Sequence, residues 1–505
     1  MRRMNRRIVA WIVLCAVVVA VGGFFRLAAL DRKAVHHDES VNFAFTKRLL
    51  EKGKYAYNPT AYHGPFLYFA GLPAVAIAGF SKTTLRLTPT LFGLLAVIML
   101  LLMHPQLGKP GALLAAAILA LSPADVYFSR TFIHEIYFVF ATLGMFWVLL
   151  VGARNGKPLP IVAFWIFLTL TFTIKETAAF GVIAFGAAMI VAWLSRYLTN
   201  EPEPLKPEYM LGFHNFNYLL WAIGLSLTVW TLLFTSFLSN PNGIPDFFRA
   251  YLSWFDTGVK SKPHAKSWTY FFIMVGKYYL PAIPFVLWAM VRGIWKRRTQ
   301  TLFLLTVALV TQVIYSAIPY KTPWCVLVIG LCWVVLAADG FTDLWKTLRY
   351  PALQITVAVL VGIGLVVYGV ASYRLNFERY DDDEGYKIVY VQTLRDYEKM
   401  PADLQRFVDA SDEDEDIPIY ITKGAKNPGR FYLRNYPGKK QQYHDLPDVV
   451  DFPIIVTRSN EYDELNKHLI HSYRSETYPV FPGWWIYLLV EEELWQRVHP
   501  EETTQ

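Results

Sequence analysis

Long apolar stretches alternate with short polar joints along most of this chain, and the alternation stops near residue 373. Residues 8–30 are apolar enough and long enough to cross a bilayer, which takes about 20 such residues. Further apolar segments follow at 85–103, 111–121, 132–151, 161–174, 177–193, 218–238, 270–291, 302–318, 324–338 and 352–373. Read as helical spans they number about eleven. Residues 65–80 are apolar but short and carry Pro73, so they fit an interfacial helix or a bent span and stand outside that number. The stretch 31–64 between the first two apolar regions is polar and holds an amphipathic run at 41–50.

Composition agrees with a polytopic membrane protein. Of 505 residues, 54% are apolar and only 17% charged, where soluble domains carry about 25%. The first segment is too long for a signal-peptide core and has no small-residue cleavage site, so it reads as a retained span. Its flank Arg2, Arg3, Arg6 and Arg7 places the N-terminus in the cytoplasm, and an odd number of spans then puts the tail outside. Net charge is +8 but unevenly divided: about 32 Lys and Arg face about 14 Asp and Glu up to residue 373, against about 16 and 26 beyond it. A basic membrane part suits anionic lipid or a phosphate-bearing substrate. The cations are interspersed with apolar segments rather than gathered in a stripe, which excludes nucleic acid as a partner. Cys15, Cys325 and Cys332 all lie in apolar segments without metal-ligand spacing and read as packing residues.

From residue 374 the pattern is that of a soluble domain. Strand-type runs at 417–422 and 452–457 alternate with helical patterns at 391–408 and 461–469, which predicts a small α/β domain over 374–505 outside the membrane, following a transmembrane domain over 1–373. The acidic runs 381–384 and 412–416 read as solvated loop or linker. The tail has neither a phosphate-binding glycine loop nor a nucleophile elbow, so catalysis is not expected from it alone.

Candidate chemistry concentrates at span ends. His36-His37-Asp38-Glu39 follows the first span. Tyr127-Phe128-Ser129-Arg130, with His134 and Glu135, precedes the segment 132–151. Lys175-Glu176 separates two apolar segments, and Pro319-Tyr320-Lys321-Thr322-Pro323-Trp324 breaks another pair. Any one cluster alone could simply snorkel or pair. Ionisable groups at membrane depth are costly, and four clusters on one expected face point to a shared polar cavity. The set suits transfer of a sugar from a polyprenyl phosphate. That donor has a good leaving group, so one carboxylate must activate the acceptor while cations, or a divalent metal, stabilise the departing phosphate. A single displacement would invert the anomeric centre.

The Asp38-Glu39 pair in the first external loop, followed by His63-Gly64-Pro65-Phe66, resembles the GT-C membrane glycosyltransferases. Within them it is similar to the group of dolichyl- or polyprenyl-phosphate-mannose protein mannosyltransferases and aminoarabinose transferases. Ser129-Arg130 with Glu135, Lys175-Glu176-Thr177 and Tyr320-Lys321-Thr322-Pro323-Trp324 resemble an archaeal and bacterial flippase-associated branch. Tyr390-Val391-Gln392-Thr393 extends the likeness into the tail. The resemblance implies that Asp38 is the catalytic base, with Glu39 beside it and Glu135 as a second acidic site. It implies that Lys175, Lys321 and Arg130, with Tyr320, hold the donor phosphate.

His37 and Glu39 are the candidate ligands should a divalent metal be the cofactor, His63 and Glu176 are supporting residues, and His36 reads as a surface residue. The expected partners are a polyprenyl-phosphate-linked sugar, a protein, glycan or lipid acceptor, and membrane lipids. The expected location is a prokaryotic plasma membrane. The rival readings are a lipid-linked sugar flippase or transporter, and a non-catalytic subunit of a glycosylation assembly.

Overall fold

The computed structural model describes residues 6–60, 63–198, 205–260, 264–411, 417–436, 441–442 and 448–500. Arg2, Arg3 and the acidic run 412–416 lie outside the described residues. The chain divides into two compact units. One comprises Met1–Leu30 and Arg48–Arg379; the other comprises Asp31–Lys47 and Tyr380–Gln505. The division thus differs from the expected 1–373 and 374–505, because the second unit takes in the first part of the polar stretch, Asp31–Lys47, as well as the tail.

The first unit is a helical bundle. Among the described residues eight helices are long and apolar enough to cross a membrane, and two bent pairs raise the number to ten. The bent pairs, Lys109–Leu121 with Pro123–Ser129 (60°) and Tyr270–Tyr278 with Leu280–Lys296 (81°), turn at Pro123 and Pro281. Proline removes a backbone donor and clashes with the preceding turn, which accounts for both bends. The expected span at 161–174 is the helix Pro158–Ile174, apolar but of only 17 residues, and 65–80 is the 13-residue helix Phe66–Ala78 with Pro73 inside. The span Pro323–Thr347 forms the bundle's centre, 94% of it buried, whereas Phe216–Phe234 and Pro351–Glu378 are 11% buried and present apolar surface outward. Close approach to the central helix depends on small residues: a Cβ on Gly111 would stand 2.0 Å from the Ala338 carbonyl oxygen, and one on Gly340 2.2 Å from that of Phe285.

The second unit is an α/β domain built on a five-stranded sheet of order β2-β1-β3-β5-β4, with β1 Ile419–Ile421, β2 Gln441–Gln442, β3 Ile454–Arg458, β4 Tyr473–Phe481 and β5 Trp484–Glu491. β2, β1 and β3 run parallel; β5 and β4 form an antiparallel hairpin whose turn contains Gly483 at φ +78°. Successive side chains alternate between faces. Ile419, Ile421, Ile454 and Val456 pack with Leu404, Phe407 and Val408 of the helix Met400–Asp409, while Tyr420 and Ile455 pack with Val450 and Leu465 on the other face. Burial on both faces is what a partly parallel sheet requires.

Candidate functional site

In the bundle, Glu135 is the first residue of the helix Glu135–Asn155, where a carboxylate complements the exposed N–H groups. Lys175 caps the C-terminal end of Pro158–Ile174 in an extended conformation. The Lys175 ammonium donates to Glu135 Oε1 and lies 3.4 Å from Cys325 Sγ. Side chains of this pair are only 6% and 5% exposed, so neither charge is screened by solvent. Lys175 also lines a cavity of about 330 Å³, together with His63, Tyr320, Thr322, Trp324 and Cys325 and an aromatic wall that includes Phe180, Trp254, Phe271 and Tyr315. The third and fourth sequence clusters thus meet in one cavity, and Glu135 of the second reaches it through Lys175.

His63 and Glu176 come together beside them, with Nδ1 to Oε2 at 3.2 Å. Gly64 makes this possible. Its N–H donates to the Ile174 carbonyl (3.1 Å), and a Cβ there would fall 2.1 Å from the Thr173 carbonyl oxygen. The His-Gly-Pro sequence is therefore a close backbone crossing that seats His63 against the Lys175-Glu176 turn. His134, buried, stands 4.8 Å from His63 ring to ring, and burial pushes its pKa well below the ordinary histidine value.

The Pro319–Pro323 break pairs with a neighbouring segment: Tyr320 bridges Ala265, and Lys321 N–H donates to the His264 carbonyl at 3.0 Å. Lys321 is buried, its ammonium donating to the carbonyls of Lys266 (3.2 Å) and Ile318. Burial lowers its pKa.

Arg130 occupies a different environment. Its guanidinium donates to the carbonyls of Phe25 (3.0 Å), Arg26 (3.3 Å), Ala28 (2.6 Å) and Ala29 (2.7 Å), and stacks over the Phe377 ring at 4.7 Å. The Phe25 and Arg26 carbonyls belong to the last turn of helix α1 (Arg6–Leu27) and those of Ala28 and Ala29 to the turn that follows, so Arg130 caps the helix end. Sequence reasoning also passed over Arg26, fully buried, which donates to Ser129 Oγ (3.2 Å) and to the Ala120 (3.0 Å) and Leu119 (2.8 Å) carbonyls. Asp125, whose Oδ2 accepts from Tyr279 OH at 2.7 Å, was missed as well. A polar residue inside an apolar run was the available signal.

His37, Asp38 and Glu39 open helix α2 (His37–Lys52) and belong to the second unit. Two acids in the first turn again suit a helix N-terminus. Glu39 is 1% exposed and its Oε2 accepts the His36 N–H at 3.0 Å; the Asp38 side chain is 40% exposed. Burial lowers the pKa of His37. His36, expected at the surface, is 2% exposed: its Nε2 donates to the Tyr390 carbonyl (2.8 Å) and its Nδ1 accepts the Asp38 N–H (3.0 Å). Two partners on opposite ring edges pull the imidazole inside. Among the described residues no group of three or more His, Cys, Asp or Glu is arranged to hold a metal ion, so His37 and Glu39 have no third ligand there.

Residues 63–221 match the family model of dolichyl-phosphate-mannose-protein mannosyltransferase, a stretch that contains His63, Arg130, Glu135, Lys175 and Glu176. No curated protein sequence matches the chain. Its structure is similar to that of ArnT from Cupriavidus metallidurans bound to undecaprenyl phosphate, with 15% identity, coverage of 96% of this chain and 99% of that one, and a TM-score of 0.64. It is similar also to the Archaeoglobus fulgidus oligosaccharyltransferase tethered to an acceptor peptide (10% identity, 97% and 76% coverage, TM-score 0.54). A third likeness is to the arabinofuranosyltransferase AftD from Mycobacteria (12% identity, 97% and 40% coverage, TM-score 0.51). At these identities the likeness is one of fold. The chain is thus similar to membrane glycosyltransferases in two ways, by the family match over residues 63–221 and by fold over nearly its whole length.

Proposed function

We propose that this chain transfers a sugar from a polyprenyl-phosphate donor to an acceptor hydroxyl or amide at the outer face of a prokaryotic plasma membrane, by a single inverting displacement. The observation that carries the reading is Lys175: a buried cation held by Glu135 on the wall of an aromatic cavity. A cation kept ready in a dry site binds a departing phosphate far more strongly than one in water. ArnT, similar in fold over nearly its whole length, is described bound to undecaprenyl phosphate, which supports a lipid phosphate as the anion.

In this reading Asp38 takes the proton from the acceptor. The acceptor's electron pair then forms the new bond to the anomeric carbon as the bond from that carbon to the phosphate oxygen breaks. The polyprenyl phosphate leaves with that pair, stabilised by Lys175 and Lys321. Glu39 orients the first loop through His36, and Arg130 acts by holding the end of α1. Aromatic side chains beside the charged groups suit a sugar ring and a prenyl chain.

The test is transfer of lipid-linked sugar in native membranes. Asp38→Asn and Lys175→Met are expected to abolish it while the protein remains folded. Full transfer by Asp38→Asn would overturn the base assignment. Transport of the lipid-linked sugar across reconstituted vesicles with no transfer would favour a flippase.

A further inference from the structure

The tail's contribution to the reaction can be argued from the contacts inside the second unit. The segment 34–40, which carries Asp38, is held by the tail at three backbone groups and two side chains. Gln392 Nε2 donates to the Ala34 carbonyl (2.8 Å) and Thr393 Oγ1 to the Val35 carbonyl (2.7 Å). The Val35 N–H donates to Tyr432 OH (2.9 Å), which in turn donates to Glu398 (2.8 Å). Ser40 Oγ donates to Asn427 Oδ1 at 3.2 Å. His36 adds the last link. Because the Tyr390 carbonyl can only accept, the proton sits on Nε2, leaving Nδ1 to accept the Asp38 N–H.

Three of the gripping groups, the Tyr390 carbonyl and the Gln392 and Thr393 side chains, come from one short run, Tyr390-Val391-Gln392-Thr393, and the run is strained. Val391 has φ +51°, a conformation that a β-branched residue avoids. Residues held in such conformations persist only where surrounding contacts over-determine them, and they gather at functional sites. Here the turn aims the Tyr390 carbonyl and the Gln392 and Thr393 side chains at three consecutive residues, Ala34, Val35 and His36. Gln392 and Thr393 are 2% and 1% exposed, whereas the Asp38 carboxylate they serve is open to solvent. The backbone is locked and the reactive group is left accessible.

We infer that Gln392, Thr393 and His36 are positioning residues for Asp38, so that the C-terminal unit acts as the template on which the acceptor-activating loop is set. The inference rests on the reading of Asp38 as the base. A base displaced by about 1 Å can lose on the order of 100-fold in rate, so loosening the grip must show in turnover.

The experiment uses the full chain in native membranes, which supply the acceptor, with lipid-linked sugars extracted from the same source. Thr393→Val and Gln392→Leu keep side-chain volume and remove the hydrogen bonds; Thr393→Ser restores the hydroxyl. Each of the first two is expected to lower kcat at least tenfold with KM for the donor within twofold of wild type, and Thr393→Ser to stay within threefold. Hydrogen exchange of the amides of residues 34–40 is expected to speed up at least tenfold in Thr393→Val and Gln392→Leu, whichever sugar is used. A kcat within twofold of wild type, or unchanged exchange at 34–40, overturns the inference. Asp38→Asn separates the two levels: if it transfers at the wild-type rate, the base assignment fails. If it is silent while Thr393→Val and Gln392→Leu turn over normally, only the positioning role fails.

Discussion

Replacing Glu135 by glutamine should turn the Lys175 site from a self-satisfied ion pair into a vacant anion receptor. Both side chains are almost completely removed from solvent, so the substitution strands a buried ammonium beside an aromatic wall. Breaking a buried pair from one side costs about 3–5 kcal/mol, most of it the solvation that the remaining charge no longer recovers. An anion that enters the cavity returns that energy. Polyprenyl phosphate should therefore stabilise Glu135→Gln against thermal unfolding in detergent more than it stabilises wild type, and bind it on the order of 100-fold more tightly if about 3 kcal/mol is recovered. Lys175→Met should lose the phosphate-dependent stabilisation altogether. Lys175→Met combined with Glu135→Gln should unfold near the wild-type temperature, because well-packed neutral groups often replace a buried pair without loss. If Glu135→Gln melts like wild type, or if its affinity for polyprenyl phosphate is unchanged, the pair is not what keeps Lys175 ready and the phosphate assignment loses its physical basis.

Arg130→Lys should destabilise the bundle by about 3 kcal/mol or more in thermal unfolding, since a point charge on a flexible stem cannot reproduce a fork that satisfies four carbonyls at once; unfolding at the wild-type temperature would refute the capping role. For Lys321 the sign follows from its lowered pKa. The folded protein gives up this proton before the unfolded chain does. As pH rises from that lowered value toward the ordinary lysine value, the cost of burying the charge is relieved and stability rises, while affinity for phosphate falls because the cation is lost. Polyprenyl phosphate binding measured from pH 7 to 10 should weaken in wild type and stay level in Lys321→Arg; an equal fall in both would exclude Lys321 from the phosphate site.

The spans were legible because hydropathy is a local property, and the bent pairs fall where proline interrupts it. Lys175, Glu176 and Lys321 stood out for the opposite reason, as ionisable groups costly at span ends, and all three are buried. Arg130 satisfied the same test but serves the end of α1, and nothing near it in sequence points to a partner a hundred residues earlier. The β4–β5 hairpin stood outside the strand-type runs expected at 417–422 and 452–457, although Pro482-Gly483 separates its two strands. His36 reads as a bystander from its neighbours alone. Its partner, Tyr390, lies 354 residues away.

That separation has a temporal meaning. The loop carrying Asp38 emerges from the ribosome early, yet the residues that grip it are made up to 397 positions later. At about 5–20 residues per second, the loop waits on the order of 20–70 s without these partners. A chain released before residue 390 would carry every span of the bundle and the whole acidic pair without the means to fix them. The grip is complete once Tyr432 has been made, so under the roles proposed for Asp38 and its partners a chain ending before that residue is expected to transfer no sugar.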